Sequence, residues 1–114
     1  MAREIVVTQN VVDEGLNPVL TAPTIDGDVI DTGRVLLWVD NAGVAARTVT
    51  ILTPVTVDGL ELEDLVVTVP AGEQRLIGPL RPSTFGRPVG SPDAGKAYVD
   101  YDDVTDVVRG VFGL

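Results

Sequence analysis

Val35 to Asn41 and Thr48 to Leu52 are apolar runs with strand chemistry, joined by the turn stretch Asn41-Ala42-Gly43, and no other feature of the chain constrains its fold as much. A second pair, Leu65 to Val69 and Gln74 to Leu80, is punctuated by Pro70-Ala71-Gly72. Side chains alternate across a strand, so Val35, Leu37 and Val39 fall on one face of the first run and Leu36 and Trp38 on the other. Apolar residues on both faces put this strand in the middle of a sheet. Arg47-Thr48-Val49-Thr50-Ile51 alternates strictly, which turns Val49 and Ile51 to the core. Leu65, Val67 and Val69 supply the next core face.

The remaining segments continue the rhythm. Asp26 to Gly33 reads as a short strand between two turn signals. After the Val57-Asp58-Gly59 loop, Leu60 and Leu62 read as inward anchors. Lys96 to Tyr101 and Thr105 to Phe112 are good strands, and Arg81 to Gly95, with Pro82, Pro88 and Pro92, is a long structureless loop. Before Asp26, Pro18 and Pro23 argue against a helix and against a central strand. The chain is therefore expected to be all-β: a single antiparallel β-sandwich of immunoglobulin-like or jelly-roll type with seven or eight strands and no helix. Residues 1–25 form an extended N-terminal arm with one or two edge strands, and residues 26–114 form the sandwich domain. A length of 114 residues suits one core.

Composition removes most chemistry. The chain holds no His and no Cys, so Ser-His-Asp and Cys-His nucleophilic catalysis are excluded, as are disulfides and thiolate metal sites. Ser83 and Ser91 read as loop formers. An enzyme is not expected, and no cofactor or metal. A formal charge of −9 repels phosphate backbones and anionic lipid, which argues against direct nucleic-acid or membrane partners. No run has the length of a membrane span or a secretory h-region, so the chain is expected to be made in the cytoplasm. Seven Arg against one Lys fits packed protein interfaces, and codon bias would give the same ratio.

Three acidic clusters stand out: Asp26, Asp28 and Asp31; Glu61, Glu63 and Asp64; Asp100, Asp102, Asp103 and Asp106. None has the calcium-loop spacing, and each reads as turn chemistry on a solvated face. Trp38, Tyr98 and Tyr101 are the only rings able to form a sugar-stacking platform, and Trp38 reads as core with an indole N–H in need of a partner. Glu4-Ile5-Val6-Val7 and Val107 to Phe112 are apolar strands that a monomer must pair or cover. The first of them is the segment free to add a strand to a neighbouring subunit.

The order Gly33, Leu36, Asn41-x-Gly43, Thr48-Val49-Thr50-Ile51, Thr53-Pro54, Val57-Asp58-Gly59-Leu60, Val67-x-Val69-Pro70-Ala71-Gly72, Leu76-Ile77-Gly78-Pro79 and Val99-x-Tyr101 resembles small capsid decoration or accessory head proteins of tailed double-stranded DNA phages. The resemblance runs from Gly33 to Tyr101 and leaves out the arm and the Pro-rich loop. It implies a virion structural protein on the exterior of the phage head. The major capsid protein would be its partner, and the chain itself a second one, as a trimer or other homo-oligomer. Capsid contacts are expected at Arg3, Ile5, Val6, Val7, Arg34, Arg81 and Arg87. A neck or tail structural protein of the same phages, and a carbohydrate-binding sandwich, are the alternatives.

Overall fold

The computed structural model describes residues 3–54, 56–57, 59–61 and 63–114. The strands are β1 (Glu4–Ile5), β2 (Thr8–Asn10), β3 (Asp28–Ile30), β4 (Val35–Asn41), β5 (Arg47–Ile51), β6 (Thr56–Val57), β7 (Leu60–Glu61), β8 (Leu65–Val69), β9 (Gln74–Ile77), β10 (Ala97–Tyr101) and β11 (Val107–Gly113). One sheet has the order β1-β3-β10-β5-β8 and a second the order β2-β11-β4-β9, while β6 and β7 form a ladder of their own. Ile30, Val49, Ile51, Val69 and Val99 of the first sheet and Val35, Leu37, Val39, Val107 and Val111 of the second belong to a single buried cluster.

Period-2 patterning dictated this arrangement. Along β4 the buried positions are Val35, Leu37, Val39 and Asn41, alternating with half-buried Leu36, Trp38 and Asp40. Its neighbours on both sides confirm the central position expected for it. Asn41 ends the strand by folding its side chain back. Its Oδ1 accepts from the Gly43 N–H at 3.0 Å, and its Nδ2 donates to the carbonyls of Ala45 at 2.8 Å and Val69 at 3.0 Å. At the Pro70-Ala71-Gly72 turn, the Glu73 N–H donates to the Pro70 carbonyl at 3.1 Å, and Gly72 sits at φ 74°, where a side chain would be strained.

Several expectations need correction. The sheets are mixed, because β1 runs parallel to β3 and β2 parallel to β11. The two sheets together hold nine strands instead of seven or eight. The excess comes from the N-terminal segment, which contributes a short strand to each layer. Arg81–Gly95 is not structureless: Pro82–Phe85 form one helical turn, opened by the proline at its start, and Arg87 bridges Ala94. Leu60 is exposed and anchors nothing inward; Leu62 lies outside the described residues. Trp38 lies half-buried on the outer face of its sheet, where its Nε1–H donates to Gln74 Oε1 at 2.7 Å and its ring packs 5.7 Å from that of Phe112.

Candidate functional site

The N-terminal strand crosses from one layer to the other along the side of the molecule. The Glu4 N–H donates to the Gly27 carbonyl and the Val6 N–H to the Val29 carbonyl, each at 3.0 Å, after which β2 pairs with β11. Alternation turns Val6 onto the core and leaves Ile5 74% and Val7 79% exposed. These residues, with Thr8, Arg34 and Leu114, line an open cleft of about 800 Å³. Its polar wall is Asp31, which accepts from both Lys96 and Thr8. The hydrogen bond from Lys96, then that from Thr8, hold the Asp31 carboxyl below the usual carboxylate range.

Arg3 and Arg87 converge on Tyr98, their guanidinium carbons 4.6 and 4.5 Å from the ring centroid. Arg3 also bonds Asp100 at 2.6 Å and the Val99 carbonyl at 3.0 Å. It reaches them across Gly27, where φ is 89° and a Cβ would come within 2.5 Å of both the Arg3 Nη1 and the Val99 oxygen. The Tyr98 hydroxyl donates to Asp93 at 2.5 Å, and this bond above all pushes the phenol up. The Arg87 Nε is buried and has no hydrogen-bond partner among the described residues.

Of the seven residues singled out in the sequence, Ile5, Val6, Val7 and Arg34 thus line one cleft, and Arg3 and Arg87 meet on one ring. Arg81 stands apart from both, exposed at the head of the helical turn, where its carbonyl accepts from the Thr84 and Phe85 N–H groups.

Beneath the rim lies a network that sequence reasoning missed. Asp28 was assigned to a solvated turn; it is fully buried, because β3 is buried at all three positions. Arg109, also buried, donates from Nε and Nη2 to the two Asp28 oxygens, each at 2.8 Å. The Tyr101 hydroxyl donates to Asp28 at 2.5 Å. The Arg109 Nη2 also reaches Glu4 at 2.7 Å, and Nη1 reaches the Thr21 hydroxyl at 2.6 Å. Burial works against the Arg109 charge, and its bonds to Asp28 outweigh that, so its pKa is raised. Burial first, and then the Asp28 charge, push the Tyr101 phenol well above its ordinary value. The network ties β1, β3, β10, β11 and the Thr21 segment together. It opens to solvent through Glu4 and Thr21, which with Arg109 line a cleft of about 430 Å³, while Asp28 itself is fully buried.

Three other carboxylates serve local structure. Asp102 accepts from the Thr48 N–H and Asp64 from the Thr53 N–H, each at 2.8 Å, and Asp103 accepts from the Thr105 N–H at 2.9 Å. Among the described residues no three acidic side chains converge on a common point. Comparisons with family models, curated proteins and solved structures find no match for this chain.

Proposed function

We propose that this protein is a virion structural protein: a capsid decoration protein that seats on the outer surface of a tailed-phage head, binds the major capsid protein and stabilises the shell. The observation that carries this reading is the apolar rim, where Ile5 and Val7 stand in water beside the Arg34 cleft. An edge segment that keeps two large aliphatic side chains exposed is suited to being covered by another protein. The resemblance from Gly33 to Tyr101 supplies the kind of partner. A cross-tied core offers rigidity, and a charge of −9 keeps the chain off packaged DNA.

The finer fold assignment follows the same reading. From β3 to β11, apart from the β6–β7 ladder, successive strands alternate between layers except at the in-sheet pair β5 and β8. Thr21 makes an antiparallel bridge to Arg109 in the place of an eighth strand. This order supports the jelly-roll reading, a fold used by viral capsid and lectin domains among others. Fold alone does not carry the function. The carbohydrate-binding alternative is weakened because Tyr98 already lies against two guanidinium groups.

The test is cosedimentation of the purified chain with empty, expanded heads assembled from the capsid protein encoded in the same genome. Saturable binding is expected, and an Ile5→Asp, Val7→Asp double variant should lose it while remaining folded. A folded wild-type chain that stays in the supernatant overturns the proposal, and recovery on isolated necks or tails moves the chain to that alternative.

A further inference from the structure

The two sides of the molecule are closed differently. On one side the N-terminal segment covers an edge of each sheet; on the other, β8 and β9 are the last strands of theirs. The ladder register shows which groups β8 leaves over. The Asp102 N–H donates to the Thr48 carbonyl and the Leu52 N–H to the Tyr98 carbonyl, so Thr48, Thr50 and Leu52 turn their backbone groups toward β10. Arg47, Val49 and Ile51 therefore turn theirs toward β8, where they face Val69, Val67 and Leu65. The N–H and C=O groups of Val66 and Thr68 point away from the sheet, with no backbone partner among the described residues.

Edge strands are ordinarily protected by brevity, by charge or by proline. β1 and β2 are only two and three residues long, and β9 contains Arg75 and is followed by Pro79. β8 has five residues, Leu-Val-Val-Thr-Val, with no charge, Pro or Gly, and Val66 is 59% exposed. Acidic side chains frame it: exposed Glu63 and Asp64 precede the strand, and exposed Glu73, which also pairs with Arg75 at 3.1 Å, follows it. We infer that the outer edge of β8 is a strand-addition site for an extended segment of another polypeptide, apolar at its centre and basic at its ends. Such a segment would be held by the backbone groups of Val66 and Thr68. Charge complementarity selects this occupant. A second copy would bring another −9 charges to the same edge, and a contact of this length falls short of what a stable dimer buries. The inference does not depend on the phage-head reading.

The experiment uses amide-resolved NMR of the full chain with a capped peptide of alternating Val and Thr carrying Arg at both ends. Addition is expected to shift and protect the Val66 and Thr68 amides, and the peptide with Glu in place of Arg should bind more weakly. Val66→Pro is informative because that N–H is not used within the sheet, so the fold survives while binding weakens by about tenfold. Val66→Lys is a second variant with an intact backbone and should weaken binding as well. Four outcomes overturn the inference: no shifts at Val66 and Thr68, equal binding of the Glu-ended peptide, full binding by folded Val66→Pro, or protection of these amides by self-association without peptide.

Discussion

Asp28 and Arg109, 81 residues apart in the chain, meet through two hydrogen bonds of 2.8 Å inside the core and tie β3 of one sheet to β11 of the other. A buried pair of this kind is costly to break from one side, because the surviving charge is left without water or partner.

Asp28→Asn and Arg109→Met should each therefore lower stability by about 3–5 kcal/mol, read from the urea midpoint. The double variant Asp28→Leu, Arg109→Met should lose less than the two single losses together, since neither charge remains buried alone.

Alkaline pH should unfold the protein through Tyr101. Its phenol keeps its proton in the fold well above the value near 10 of an unfolded chain. Stability from this group is full below about pH 10 and falls as pH rises toward the folded value, because only the unfolded state then releases the proton. Tyrosinate absorbance from Tyr101 should appear together with loss of the sheet signal in circular dichroism. An early, fully reversible step from both tyrosines would contradict this.

Acid should act through Asp31 in the opposite sense. Its carboxyl is lowered by Lys96 and Thr8, so its contribution is present above the unfolded value near 4 and lost as pH falls through the folded one. Both partners are partly exposed, which limits the effect to about a few tenths of a kcal/mol. Asp31→Asn should flatten the acid limb of the stability curve and leave the neutral plateau almost unchanged.

Gly27→Ala should cost at least about 1 kcal/mol, because the residue sits at positive φ and its Cβ would strike the Val99 carbonyl. The same change should push Arg3 off Tyr98, visible as a shift of the tyrosine ring signals. Serine at Ile5 and Val7 should change stability by no more than about 0.5 kcal/mol, since both side chains are already in water.

Much of the body is legible in the sequence. β4, β5, β8, β9, β10 and β11 lie where alternation and turn residues put them, because period-2 patterning is a local signal. The parallel pairings of β1 and β2 were not legible, since their partners lie far along the chain and no local pattern distinguishes parallel from antiparallel. At the rim, the Ile5-Val6-Val7 run stood out in the sequence as an apolar strand to be paired or covered and Arg34 as a basic attachment point, but nothing local brought Arg3 and Arg87 to one ring. Asp28 was misread because an Asp beside Gly27 looks like a turn. The better signal was Arg109, a lone charge in the apolar run Val107–Phe112, where a buried partner is the usual reason for such a residue.

The parallel register of β2 on β11 also has a mechanical meaning. Tension drawing residue 8 and residue 113 in opposite directions along these strands loads the ladder in shear, so its hydrogen bonds share the force and yield together. Antiparallel strands pulled from the same end would unzip one bond at a time. This short ladder is thus better placed to resist stretching along its own axis than peeling from its side.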